Sequence, residues 1–212
     1  LFPDLERGTE SVMTLQSCHS AAMSGKLVEG CAEFSVCMTN ANRLGKGCFG
    51  AVFRASLRGE PVAAKTIHMF HNVEINFPDI TDDELRAHTG RCRADAQVEL
   101  DALALLGSHP NVVALKGVVY GDFVGEEVPM WICMEFATGG TLSSRIFGKG
   151  AAPLSLAAKG KIAREIARGL AFCHANDVVH YDVKPANIML TGDGVAKLCD
   201  LGTAQTIHGM RH

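Results

Sequence analysis

The eight residues His180-Tyr181-Asp182-Val183-Lys184-Pro185-Ala186-Asn187 carry a carboxylate, a cation two positions later and an amide five positions after the carboxylate. With a proline in their midst, these are side chains for chemistry more than for a core. An Asp there can position a hydroxyl nucleophile and take its proton. A Lys beside it can balance charge that develops on a transferred anionic group. A second carboxylate, Asp200, follows the short run Lys197-Leu198-Cys199 and precedes Leu201-Gly202. Alone, an Asp before a glycine turn is equally well a turn-former. Mg2+, however, takes oxygen ligands, keeps several waters and is held by one or two carboxylates plus substrate phosphates. Asn187 and Asp200 supply oxygens of that kind, and the whole set matches what phosphoryl transfer from a nucleotide requires.

A second group lies nearer the start. Gly45-Lys46-Gly47-Cys48-Phe49-Gly50 is a G-x-G-x-x-G string, in which glycines allow backbone N–H groups to approach a phosphate. In a dinucleotide-binding unit the string would open a helix. Here Ala51 to Leu57 partly alternates apolar and polar residues, Arg58-Gly59-Glu60 reads as a turn, and Val62 to Ile67 reads as a second strand opened by Pro61. That is a β-hairpin, and a purely structural turn is the remaining alternative for the glycines. Lys65 ends the small apolar run Val62-Ala63-Ala64. A surface position would explain it blandly, whereas a lysine turned inward needs an anion or a carboxylate partner. Glu99 and Asp101, with Asp95 further off, are the carboxylates on offer.

The elements that must position these groups follow from periodicity. Residues 1–39 show only a weak strand or turn pattern and are expected to be an extension without chemistry of its own. Thr81 with Glu84 is a capping-box pattern and predicts a short helix over 81–89, set apart from a firm helix over 93–106. Val98, Leu103, Leu105 and Leu106 supply the apolar face of the latter, and Gly107 and Pro110 stop it. Strands are expected at 112–120 and 129–135. A second helix is expected over 155–175 through Ile162, Ile166, Leu170 and Phe172, with short strands near 187–191 and 195–199. The fold class is therefore α+β, a small sheet domain ahead of a helical one.

Composition narrows the setting. Of 212 residues, 47% are apolar and 20% charged, which describes a globular chain. A net charge of −3 makes no case for nucleic acid or an anionic membrane surface. No apolar run reaches the roughly 18 residues of a membrane span. The eight cysteines form no C-x-x-C pair and read as reduced thiols of a cytoplasmic protein. The N-terminus has neither a basic nor an apolar signal region, and it lacks an initiator Met.

In order along the chain, LGKGCFGAV, VAAK, Glu99 on a helix, HPNVVAL, MEFATGGTL, HYDVKPAN and DLG make the sequence resemble the eukaryotic-type protein kinases, whose signatures these are. The resemblance implies a kinase-like α+β fold with an antiparallel-sheet N-lobe at 40–135, a partial C-lobe at 136–212 and a long insertion near 70–92. It implies ATP and Mg2+ as cofactors and a protein as substrate, without naming that substrate or an oligomeric state. Gly45, Gly47 and Gly50 would cover the ATP phosphates, and Lys65 would hold two of them while pairing with Glu99. Leu44, Val52, Ala63 and Met189 would sandwich the adenine. Met134 would be the gatekeeper, and the backbone from Glu135 to Ala137 would bond the adenine edge. Asp182 resembles the catalytic base, Lys184 its serine/threonine-class companion, and Asn187 and Asp200 the metal ligands. The family's apolar spine would be Leu103, Leu115, His180 and Leu201; Asp101 in place of Glu99 would put Leu105 in it, and the longer reach of Glu favours Glu99.

Three departures stand out. Tyr181 replaces the Arg of H-R-D, which weakens the leverage of a phosphate on the activation loop. Leu201 replaces the Phe of D-F-G. Lys65 and Glu99 lie 34 positions apart, a wider spacing than the family needs, which loop entropy tolerates. The sequence ends at His212, shortly after D-L-G, so a fragment of a kinase domain is expected. A nucleotide-holding scaffold and an inactive truncated product are the competing readings.

Overall fold

A computed structural model describes residues 12–15, 18–21, 27–30, 34–47, 50–66, 81–123 and 126–207. It parts into two compact units, Leu1–Gln97 with Lys116–Phe136, and Val98–Leu115 with Ala137–His212. Ile67, the end of the expected second strand, lies outside the described residues, as do most of residues 1–33 and, of the expected insertion, 70–80.

The first unit is built on antiparallel strands β1 (Val12–Leu15), β2 (Cys18–Ala21), β3 (Leu27–Gly30), β4 (Phe34–Cys37), β5 (Arg43–Gly47), β6 (Gly50–Leu57), β7 (Glu60–Thr66), β8 (Leu115–Phe123) and β9 (Glu126–Glu135). Among the described residues they form one sheet in the order β1-β4-β6-β7-β9-β8-β2-β3, with β5 also paired to β6. The alternation seen in the sequence sets its two faces: Ala51, Phe53, Ala55 and Leu57 of β6 are buried, while Val52, Arg54 and Ser56 are less so. The buried face collects Phe34, Val36, Phe53, Val62, Ala64, Trp131 and Cys133. Trp131 anchors it, with ring centroids 5.7 Å from Phe34 and 6.2 Å from Phe53. β6 and β7 meet through a two-residue turn in which Arg58 (φ 54°) and Gly59 (φ 80°) both take positive φ, the geometry that matches the strands' twist.

Phe34 and Val36 lie in the stretch expected to be an extension, yet they are core residues of β4. Four alternating residues are too short a pattern to stand out. Both β4 and β5 pair with β6: Val36 faces Ala55 and Arg43 faces Phe53. Residues 37–42 therefore bulge out against Arg54, whose N–H donates to the Asn42 carbonyl at 2.8 Å.

The helices expected at 81–89 and 93–106 are one helix, α1 (Asp82–Leu106). Its start is the expected capping box: Glu84 N–H donates to Thr81 Oγ1 at 3.3 Å, and Thr81 N–H donates to Glu84 Oε2 at 3.0 Å. Gly90 does not divide it, because a glycine inside a helix costs only about 1 kcal/mol relative to alanine. The apolar face also differs from expectation. Val98 and Leu105 are 41% and 46% exposed, while Ala96, Leu100, Leu103 and Leu106 are buried, a cleaner three-to-four spacing.

The second unit contains α2 (Leu142–Phe147), α3 (Leu156–Ala175) and two small antiparallel ribbons: β10 (Val178–Val179) with β13 (Gln205–Thr206), and β11 (Ile188–Leu190) with β12 (Ala196–Leu198). α2 was not expected; Thr141 caps it by accepting from Ser144 N–H at 3.0 Å. Ser155 caps α3 by accepting from Ala158 N–H. α3 buries Ile162, Glu165, Gly169 and Cys173; of the expected face Ile162 is buried, while Ile166, Leu170 and Phe172 are half-buried, so the face is rotated. Gly169 decides that rotation. A Cβ there would stand 2.5 Å from the Asn111 carbonyl oxygen and 2.8 Å from a Leu198 methyl, so only glycine lets α3 approach this closely.

Alanine at 169 would gain about 1 kcal/mol of helix propensity and lose about 1–3 kcal/mol to overpacking. Gly169→Ala should therefore lower stability in urea unfolding, whereas an alanine at exposed Gly160, where a Cβ meets nothing within 4 Å, should not.

Candidate active site

The candidate residues fall into two sets, one in each unit. In the first unit, Gly45 of β5, Val52 of β6, Lys65 of β7 and Ile132 of β9 stand opposite one another across the sheet. Ala63 and Met134 form the next pair on the same side, since residues two apart on a strand share a face. Val52 and Ala63 are half-buried, Met134 is buried, and Lys65 is 7% exposed. This is the sheet face opposite the Trp131 core: small apolar side chains flanking an inward lysine. Leu44 is exposed beside it, and Glu135 of β9 pairs with Val62. Gly50 has φ 140°, and a Cβ on it would run into the Thr66 carbonyl, so the last glycine of the string is required by the sheet itself. Its neighbours Cys48 and Phe49 lie outside the described residues.

In the second unit the loop and ribbon residues are wired together. Asn187, buried at the turn Pro185–Asn187, donates through Nδ2 to the Asp182 carbonyl at 2.9 Å and to Asp182 Oδ2 at 2.8 Å. Both partners only accept, so the amide nitrogen must face them and its oxygen is turned the other way. Lys184 Nζ donates to the same Oδ2 at 2.6 Å. That hydrogen bond, ahead of the one from Asn187, holds the Asp182 carboxyl below the usual aspartate range, against a smaller opposing effect of burial. Asp182 is therefore an ionised acceptor at neutral pH. Met189 of β11 is half-buried, pairs with Lys197 and bridges to Thr141. Ala137 is buried.

The link to Asp200 runs through His180, which is almost fully buried. Its Nδ1 accepts the Asp182 N–H at 3.3 Å, so Nε2 carries the proton and donates to the Cys199 carbonyl at 3.0 Å. Thr203 Oγ1 donates to the His180 carbonyl at 3.1 Å, and Cys199 N–H donates to the Asn187 carbonyl at 3.0 Å. These bonds bracket two residues in the left-handed region, Tyr181 (φ 60°) and Asp200 (φ 61°). Non-glycine residues hold such backbone only where the surroundings over-determine it, and they cluster at functional sites. On α1, Glu99 is 3% exposed and Asp101 is exposed. Spine candidates Leu103, His180 and Leu201 are buried, and Leu115 is half-buried. The role of the 180 ring as a tie between loops had no separate signal in the sequence, and neither did that of Thr203.

Residues 38–212 match the family model described as "Protein kinase domain". The chain belongs to the protein kinase family. Among curated relatives, it is 35% identical over 164 residues to "Serine/threonine-protein kinase mos" of Xenopus laevis, covering 77% of this chain and 41% of that protein. It is 32% identical over 173 residues to "Serine/threonine-protein kinase VIK" of Arabidopsis thaliana, covering 80% of this chain and 34% of that protein. "Mitogen-activated protein kinase kinase kinase 7" of Drosophila melanogaster is 32% identical over 170 residues, covering 78% of this chain and 21% of that protein. The chain thus spans less than half the length of each. Two kinase motifs are altered here. Tyr181, in place of the H-R-D arginine, is 62% exposed, and Leu201, in place of the D-F-G phenylalanine, fills a buried position. Among the described residues no helix is long and apolar enough to cross a membrane.

The depressed carboxyl of Asp182 gives a test with a definite sign. The ionised form is favoured in the folded protein, so its protonation should begin only below the usual aspartate range. Replacing Lys184 with Met removes the largest cause, and the Asp182 carboxyl titration followed by carbon NMR should move to higher pH.

Proposed function

We propose that the protein is an ATP- and Mg2+-dependent serine/threonine kinase that phosphorylates a protein hydroxyl. The observation that carries this reading is the hydrogen-bonded set Asp182, Lys184 and Asn187 joined through Cys199 and His180 to Asp200. Asp182 is ionised, partly accessible and held in place, as a base for a substrate hydroxyl must be. It would orient the hydroxyl and accept its proton, while Lys184 offsets charge on the transferred group. Asn187 and Asp200 would hold the metal: the Asn187 amide oxygen is turned away from Asp182, and neutral and anionic oxygens suit Mg2+. When bound, Mg-ATP supplies the phosphoryl group with much of its charge already neutralised.

The lysine-bearing face of the first unit's sheet supports the nucleotide half of the reading. Leu44, Val52 and Ala63 would pack against the adenine, and the backbone at Glu135 would bond its edge. Gly45, Gly47 and Gly50 would cover the phosphates with Lys65. Of the α1 carboxylates, Glu99 is buried while Asp95 and Asp101 are exposed, and the kinase resemblance makes Glu99 the expected orienting partner of Lys65. Residues 40–135 and 136–212 are read as the two lobes, with Phe34–Cys37 of the preceding segment paired into the first as β4. The substrate is read as a protein and not nucleic acid, and cysteines without a C-x-x-C pair suit the cytoplasm.

In the complete protein, Lys65→Met and Asp182→Asn should each reduce phosphotransfer at least about 100-fold, measured as phosphate incorporated from labelled ATP. Undiminished transfer in either variant would remove the assigned roles. Magnesium-dependent ATP binding without transfer in the unaltered protein would point instead to a nucleotide-holding scaffold.

A further inference from the structure

The β11–β12 ribbon has two edges, and each of its backbone groups needs a partner once buried. Met189 pairs with Lys197 across the ribbon, and the Thr191 N–H bonds the Val195 carbonyl, so odd-numbered residues of the second strand face inward. Ala196 and Leu198 consequently turn their N–H and C=O groups outward, and both residues are fully buried. Every one of those four groups is satisfied from outside the ribbon. Leu198 N–H donates to the Asn111 carbonyl at 2.9 Å, and the Leu198 carbonyl accepts from Val113 N–H at 2.8 Å. The Ala196 carbonyl accepts from Asn111 Nδ2 at 2.9 Å. The last group, the Ala196 N–H, is taken by a side chain: Glu165 Oε2 on α3, at 2.9 Å.

Glu165 is itself buried, and its other oxygen meets Lys161 Nζ at 3.1 Å. The same ammonium donates to the Gly194 carbonyl at 2.6 Å, in the turn between the two strands. A carboxylate suits this position because it accepts at both oxygens, whereas an amide has one oxygen to share. We propose that Glu165 is a positioning residue: it closes the outer edge of β12 and so fixes where Asp200, just past the strand's end, presents its carboxylate to a divalent cation. This rests on the phosphoryl-transfer reading above. The physical link is short. β12 can shift along β11 only by breaking bonds on both edges, and Cys199, between the strand and Asp200, is bonded on both its N–H and its carbonyl.

The test compares Glu165→Leu, which keeps bulk but accepts nothing, with Glu165→Gln, which keeps one acceptor for Ala196. In the complete, metal-free protein, amide exchange at Ala196 should quicken about tenfold in the Leu variant and stay near wild type in the Gln variant. Titrating Mg2+ into protein with ADP, the Leu variant should need about tenfold more Mg2+ for half-saturation, with metal-free ADP affinity unchanged and the Gln variant restored. Should the Leu variant not fold, Glu165→Asp, shorter by one methylene, carries the same two readouts in the same direction. Wild-type exchange at Ala196, or a wild-type Mg2+ requirement in a folded Leu or Asp variant, overturns the inference. If ADP binding to the unaltered protein ignores Mg2+, the phosphoryl-transfer reading fails and takes the metal half of the inference with it; amide exchange still decides whether Glu165 holds the strand.

Discussion

One buried imidazole holds the chemical end of the second unit together. His180 has two ring nitrogens and spends each on a different loop, accepting from the Asp182 backbone and donating to the Cys199 carbonyl. Its acceptor and its donor sit on opposite sides of one rigid ring. The ring makes the distance between the Asp182 loop and the Asp200 turn a fixed quantity instead of an average over loop conformations. It also lets Tyr181 and Asp200 stay in left-handed backbone, since the strain is distributed among bonds that would all have to break together.

The glycines do a related job by absence. Gly50 lies against the Thr66 carbonyl, and Gly169 lies against Asn111 and Leu198. In each case the missing Cβ is what lets two backbones meet. Gly169 seats α3 on the segment 111–113 and on β12, so the helix that carries Glu165 and the strand that leads to Asp200 share one packing surface.

Much of this was legible in the residues. The hairpin of β6 and β7, the capping box at Thr81, the helix expected over 155–175 and the short strands ahead of Asp200 all follow from local patterns. The loop residues Asp182, Lys184 and Asn187 could be grouped because their types suit one chemistry, and they do meet. What escaped has physical reasons. Helix α1 was divided at Gly90 because a single glycine weighs heavily in a local pattern and lightly in a 25-residue helix. The buried faces of α1 and α3 include the expected Leu103, Leu106 and Ile162 and differ from the expected ones elsewhere, because large side chains mark a face in sequence whereas close packing also takes in small residues such as Ala96 and Gly169. β4 was too short to declare itself. Backbone partners such as the Cys199 carbonyl leave no trace in residue type.

The contact between Lys184 and Asp182 is open to water, with side chains 51% and 34% exposed. Dissolved ions reach such a pair and weaken its Coulomb part, with a screening length of about 10 Å at 0.1 M salt. The bonds made by the buried side chains of Asn187 and His180 feel this less. The two halves of the arrangement therefore answer to different features of the medium. Where Asp182 sits is set by the interior of the protein, while how strongly it resists a proton is partly set by the ionic strength of the solution around it.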